Sequence, residues 1–323
     1  MGEFVEVAKV LVSPAEKLID CVSGAIGKMY EPRHLKKMAE ARSQEIKMIG
    51  EAMRETSDIP IEYNKDGIVL NSTDYDQFVK RTQNRIAFQE LKKQENIETV
   101  AGKAYNLLEG EKDVTAEPVE QDWMLRFFNS VEDISNEQMQ DIWAKILAGE
   151  IKEPGTFSLR TLSTLHSLTR REALAFNELC QHCVISDNSC YIYNDAQYIE
   201  KAGIFYGQIL MLSECGLIND HSFITTKHTY APGASVALRT DDYIAMIHVP
   251  GEERKEINFP IYTFTSAGVE LAKVTGHHMS FDEFKEIAKA YQDKGKDATI
   301  SVHKIQNING TVISYDLHDL FSD

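Results

Sequence analysis

Between Glu117 and Leu168 the apolar residues recur every three to four positions, in three short runs separated by turn formers. No other feature constrains the fold as much. Trp123, Phe127, Phe128 and Val131 make one stripe, Met139, Ile142, Trp143, Ile146 and Leu147 a second, and Leu159, Leu162 and Leu165 a third. The period is that of a helix, in which 3.6 residues per turn return side chains to one face. The punctuation agrees with it. Asp122 is expected to cap the first helix, Ser135-x-x-Gln138 to form a capping box for the second, Gly149 to end it, and Pro154-Gly155 to turn the chain into the third. Both tryptophans then face inward, so residues 113–168 are expected to form a compact three-helix module.

Residues 1–112 are read as a helical arm and oligomerisation region. Ser13-Pro14 supplies a helix start, and Glu31-Pro32 interrupts it. Leu18, Val22, Ile26 and Met29 form a stripe, beside which Gly24 and Gly27 would let another backbone approach closely. These six residues are the expected self-association surface. The stretch His34 to Glu55 is charged almost all round, as in an exposed arm or one strand of an intertwined oligomer. Turn formers fill Ser57 to Asp74, and Tyr75 to Leu108 reads as helix again. For the first helix the alternative is an amphipathic segment lying on a membrane surface. Lys17, Asp20 and Lys28 argue against a lipid span.

Beyond Leu168 the order becomes helix, helix, strand, strand, helix, which resembles a winged-helix-like module over residues 169–275. Thr169-x-x-Glu172 is a capping box for a helix that buries Phe176, Leu179, Cys180 and Cys183. A second helix is expected from Gln197 to Glu214, strands from Gly216 and over Val236–Val249 and Ile257–Phe264, and a last helix capped by Thr265-Ser266. Residues 276–323 give a helix, Phe281 to Tyr291, and a hairpin of Ile300–Gln306 with Val312–Leu317 about Asn309-Gly310. The fold class is mainly α, α+β overall.

Charge and motifs then bound the function. The chain carries 34 Lys+Arg against 50 Asp+Glu, a net charge of −16 over 323 residues, which repels phosphate backbones. Nucleic-acid contact would depend on a local basic set, Lys227, Arg239, Arg254 and Lys255. The helix expected to read a groove offers Gln197, Lys201 and Gln208 against Glu200 and Glu214, and its run Ile209-Leu210-Met211-Leu212 reads as packed. A protein partner is favoured for this module. Five cysteines, an odd number without a disulfide-like framework, suit a reducing cytosol. With no apolar run of membrane-spanning length and no secretion signal at Met1, the expected location is cytoplasmic.

Cys180, Cys183, Cys190 and Cys215 are candidate zinc ligands, with His182 or His221 to complete a set. No second Cys-x-x-Cys pair accompanies them, so buried structural cysteines are favoured and no cofactor is expected. His277-His278 reads as a solvated corner. Glu45-Ile46-Lys47 and Glu90-Leu91-Lys92 carry the acid-x-Lys spacing of metal-dependent nucleases, but both lie in expected helices, where such pairs form a solvated face. No phosphate cradle, nucleophile elbow or dinucleotide fingerprint is present in the sequence. No catalytic residue is assigned, and a nuclease remains the enzymatic alternative.

The block Glu117-Pro118-Val119-x-x-Asp122-Trp123-x-x-Arg126-Phe127-Phe128-Asn129 runs on through Trp143-Ala144-x-Ile146-Leu147-Ala148-Gly149-Glu150 to Phe157-Ser158-Leu159-Arg160-Thr161-Leu162. It resembles the signature of the bacterial domain-of-unknown-function family numbered twenty-eight-oh-six. Ser13-Pro14-Ala15-Glu16-Lys17-Leu18-Ile19, Gly216-Leu217-Ile218 and Thr265-x-x-Gly268-x-Glu270-Leu271 are similar too. More distantly, the organisation resembles the Abi-alpha group of abortive-infection proteins. The resemblance implies a bacterial or prophage setting and phage defence, and carries no established catalytic residue. Within the signature, Arg126, Asn129, Arg160 and Thr161 are the polar remainder and are candidates for a buried network or an interface.

Overall fold

The computed structural model describes residues 11–26, 72–112, 114–186, 189–219, 225–230, 235–248, 255–295, 298–309 and 312–321. The chain divides into two compact units, residues 1–157 and 158–323. Gly27, Met29, the charged stretch His34–Glu55, His221 and Arg254 lie outside the described residues. No helix among the described residues is long and apolar enough to cross a membrane.

The first unit holds α1 (Pro14–Ile26), α2 (Ser72–Leu108), α3 (Gln121–Val131) and α4 (Glu137–Lys152), and α3 and α4 turn inward the stripes of Trp123 and Trp143 read from the sequence. Two short strands, β1 (Leu11–Val12) and β2 (Val114–Thr115), pair antiparallel. Helix α1 packs on α2, α3 and α4, and its Leu18 and Val22 are fully buried there. Trp123 stacks on Phe127, and Phe127 meets Phe128 and Trp143 edge-on. The Trp123 indole N–H donates to the Phe157 carbonyl at 2.6 Å.

Three punctuation readings shift. The residue at the start of α3 is Glu120, without a side-chain cap, and Asp122 sits in the first turn. Asn136, one residue after Ser135, caps α4 by accepting from the Met139 N–H. Gly149 does not end α4, which continues to Lys152. Its hydrogen gives room to the Phe157 ring, which a Cβ would meet at 2.8 Å.

At about 1.5 Å per residue, the 37 residues of α2 extend roughly 55 Å. Among its described side chains, the buried apolar ones lie in the second half, at Ile97, Val100, Ala101, Ala104 and Leu108. From Gln77 to Lys92 no described side chain is buried, and Phe78, Ile86, Phe88 and Leu91 are 39–50% exposed.

In the second unit, α5 (Leu159–Ser167) and α6 (Arg170–Cys180) come first, and α6 opens with the expected Thr169/Glu172 capping box. A hairpin of β3 (Val184–Ser186) and β4 (Ser189–Tyr193) follows, unforeseen from the sequence. The expected helix from Gln197 to Glu214 is two, α7 (Ala196–Lys201) and α8 (Tyr206–Glu214). Gly203 at φ 71° takes the left-handed conformation between them. After β5 (Ile218–Asn219) and β6 (Thr225–Tyr230), the expected single strand Val236–Val249 is a hairpin of β7 (Ser235–Arg239) and β8 (Tyr243–His248). Strand β9 (Lys255–Phe264), α9 (Ser266–Thr275), α10 (Phe281–Gly295), β10 (Thr299–Asn309) and β11 (Val312–Tyr315) complete the unit.

The described strands of this unit form one antiparallel sheet in the order β11-β10-β8-β7-β3-β4-β9-β5, with β6 also on β9. Strands 4.8 Å apart place β8 and β9 about 19 Å from each other, and fifteen helical residues span about 22 Å, so α10 can cross the strands between them. It does, packing on β8, β9 and β10, with Tyr291 against Phe259 at 4.0 Å and Phe284 fully buried. The fold is therefore mixed α+β, as expected.

Candidate functional site

The polar signature residues resolve into local structure. Arg126, Asn129 and Arg160 are exposed, whereas Thr161 is fully buried. Glu270 on α9 accepts from the Ser158 N–H at 2.6 Å and the Thr161 hydroxyl at 2.5 Å, which fixes the start of α5. Thr265 donates its hydroxyl to the Gly216 carbonyl at 2.6 Å, its N–H to the Leu217 carbonyl at 3.0 Å, and accepts from the Gly268 N–H. Two separated pieces of the signature, Gly216-Leu217-Ile218 and Thr265-x-x-Gly268, are thus one junction.

Of the expected interface residues, Leu18 and Val22 are core and Gly24 is exposed. Among the basic set, Lys227 on β6 and Lys255 at the start of β9 share one ladder, Lys227 opposite Asn258 and Lys255 opposite Tyr230. Arg239 is on β7, three strands from β9 in the sheet, with its guanidinium 3.8 Å from the Asp241 carboxylate. Helix α8 is not wholly packed. Ile209 and Leu212 are buried, but Phe205, Tyr206 and Leu210 are exposed along one edge.

The candidate cysteines separate. Cys180, the last residue of α6, is buried, and burial pushes its thiol up to about 12 despite the Thr275 side chain beside it. Burial and the neighbouring Glu172 carboxylate push Cys215 up to about 11. Neither joins the others. Cys183, three residues past the end of α6, is disulfide-bonded to Cys190 on β4. Their side chains share a face because Ile185 pairs with Cys190 and Val184 with Tyr191.

His277 completes this group and is not the solvated corner expected. It is buried, and its Nε2 is 3.3 Å from the Cys190 sulfur. Its N–H donates to Asp241 Oδ2 at 2.6 Å, its carbonyl accepts from the Asp241 N–H at 3.0 Å, and its Nδ1 is 4.0 Å from Asp241 Oδ2. Asp241 is held in turn by the β7–β8 hairpin, whose turn is closed by Thr240 accepting from the Asp242 and Tyr243 N–H groups. His278 does face solvent and is hydrogen-bonded to Asp242 at 2.9 Å. That bond raises His278, while burial lowers His277. Nothing in the sequence reading pointed to Asp241. The signal was available, since Thr240-Asp241-Asp242 are turn formers interrupting an apolar run.

A second group lies beside the first. Glu283 Oε1 on α10 accepts from the Tyr198 hydroxyl at 2.7 Å and is 2.6 Å from His182 Nδ1. Burial alone would raise the Glu283 carboxyl. The bonds from His182 and Tyr198, with the charges of His182 and Lys201, outweigh it and hold the group below the ordinary glutamate value of 4.5. A carboxyl depressed in the folded state contributes stability that is present above 4.5 and is lost as pH falls through the folded value. Thermal denaturation between about pH 3 and 6 should therefore show a shallower acid decline for Glu283→Gln than for the parent chain. Equal slopes would remove Glu283 from the acid response.

Chemically, two sulfurs and an imidazole form a buried donor set, with the partly exposed Asp241 carboxylate beside the imidazole. Against known proteins, residues 80–288, well over half of the chain, match the family described as a protein of unknown function (DUF2806). No curated protein and no solved structure is significantly similar.

Proposed function

The chain belongs to the DUF2806 family, and we propose from that premise that it is a self-associating, non-enzymatic scaffold that docks a protein partner. The observation that carries the reading is the unpacked half of α2, a helical arm with Phe78, Ile86 and Phe88 in water. Exposed aromatic and aliphatic side chains on a long helix are stabilised when a second copy covers them. The signature supports a scaffold as well. Trp123, Phe127, Phe128 and Trp143 pack, while Thr161, Gly268 and Glu270 join elements.

The winged-helix-like reading of residues 169–275 has support in the sheet, where β4, β9 and β5 are neighbours and α6, α7 and α8 precede β5. In such a module α8 would be the presented helix, and its exposed Phe205, Tyr206 and Leu210 suit an apolar protein surface better than a phosphate backbone. A role in phage defence, as sensor or effector, is part of the proposal and rests on the resemblance of the sequence's organisation to abortive-infection proteins alone.

The test is a Phe78→Asp/Ile86→Asp/Phe88→Asp variant measured by light scattering after gel filtration. A monomer that keeps the parent's circular dichroism supports the arm as the association surface. An unchanged oligomer would place it elsewhere. Nucleic-acid binding is the second reading, favoured by Lys227 and Lys255 on the β6–β9 ladder. It requires binding that weakens steeply with salt, and Lys227→Glu/Lys255→Glu should abolish it.

A further inference from the structure

We propose that in the reduced protein Cys183, Cys190 and His277 hold one zinc ion, with Asp241 positioning the imidazole. The inference is independent of self-association. The three ligand atoms lie within 4.8 Å of one another, and all three residues are buried. Donor atoms around a tetrahedral zinc stand roughly 3.5 Å apart, the spacing that Zn–S and Zn–N bond lengths dictate. The observed Nε2-to-sulfur distance of 3.3 Å is already close to that.

The placement of His277 is what a disulfide leaves unexplained. A disulfide has no need of an imidazole, and burying a polar ring against sulfur costs free energy unless the ring nitrogen gains a stronger partner. Behind the ring, Asp241 Oδ2 lies 4.0 Å from Nδ1 and holds the His277 N–H at 2.6 Å. Asp241 thus positions His277 through its backbone N–H, with the carboxylate charge on the Nδ1 side of the ring, while Nε2 faces the Cys190 sulfur. Charge agrees with burial: two thiolates and a neutral imidazole around a divalent ion sum to zero.

The disulfide and the metal are alternatives for the same sulfurs. Two equivalents of a small thiol break the S–S bond, giving up two electrons and two protons and leaving as their own disulfide. The ion then displaces both protons from the Cys183 and Cys190 sulfurs. Three protein ligands leave one tetrahedral position for water.

The experiment is an anaerobic titration of the phosphine-reduced full chain with cobalt(II), followed by displacement with zinc(II). One equivalent of cobalt should develop thiolate-to-cobalt charge-transfer absorption that zinc removes. Cys190→Ser and His277→Gln should each weaken binding at least 100-fold, Asp241→Ala, which removes the acceptor of the His277 backbone N–H, about 10-fold, and Cys180→Ser should leave it unchanged. Diamide oxidation should block uptake. Absence of stoichiometric charge-transfer absorption in the reduced, folded parent chain would overturn the proposal without recourse to any variant. Undiminished binding by a folded Cys190→Ser chain would do the same.

Discussion

Gly268→Ala is expected to destabilise the protein by about 3 kcal/mol or more, the upper range for overpacking a site that cannot relax. A Cβ on Gly268 would overlap the Leu217 carbonyl oxygen and lie 3.1 Å from its carbon, with the Phe264 ring at 3.2 Å on another side. The oxygen is backbone and cannot rotate away, because it accepts the Thr265 N–H at 3.0 Å. Thr265 in turn caps α9 and ties down Gly216, so relief at Gly268 would break the junction of β5, β9 and α9. Gly207→Ala is the control. It lies in α8 with nothing within 4 Å of a built Cβ, and alanine should add about 0.5 kcal/mol there by restricting the unfolded chain. Urea unfolding of the three proteins decides the matter, and parent-like stability of Gly268→Ala would show that the junction yields.

The second large effect is expected at Glu150, a carboxylate only 2% exposed inside the first unit. Its two oxygens accept from the Gly155 N–H at 2.6 Å and the Phe157 N–H at 2.9 Å, closing the turn after α4. Lys17 faces it from α1, itself buried, with burial pulling its ammonium below the ordinary lysine range and the Glu117 and Glu150 charges opposing that. Glu150→Ala strands the buried Phe157 N–H, at a cost of about 1–3 kcal/mol, releases the exposed Gly155 N–H to water, and leaves Lys17 with less compensation. A loss of about 3 kcal/mol follows. Glu150→Gln keeps one acceptor oxygen and should lose roughly half as much. Equal losses for the two variants would mean that the carboxylate charge, not the turn, is what matters.

Glu150 also shows where sequence reasoning stops. The stripes of α3, α4 and α5 were legible because packing and period coincide there, and Trp123, Trp143 and Leu162 are buried as their spacing requires. A buried glutamate is indistinguishable in sequence from a solvated one, since its partners are N–H groups five and seven residues on. Caps erred by one residue at Asn136 because Ser135 and Asn136 are both competent acceptors, and only the backbone decides between them. The hairpin at Cys183–Tyr193 was hidden by its own shortness. Three- and five-residue strands show too little alternation to separate from a helix end. The Cys183–Cys190–His277 group was half legible. The cysteines were visible as ligand types, but His277 reaches Cys190 across 87 positions. Only the sheet, with the Asp241 turn beside β3, brings them together.

Helix was expected over Tyr75 to Leu108, and what the sequence could not show is that one half of α2 packs through Ile97, Val100, Ala101 and Ala104 while the other half buries no described side chain. The central claim, self-association through that arm, is tested most directly by sedimentation velocity of the full chain over a range of concentrations. The account predicts a species at an integral multiple of 36.6 kDa. A single 36.6 kDa species at every concentration would contradict it.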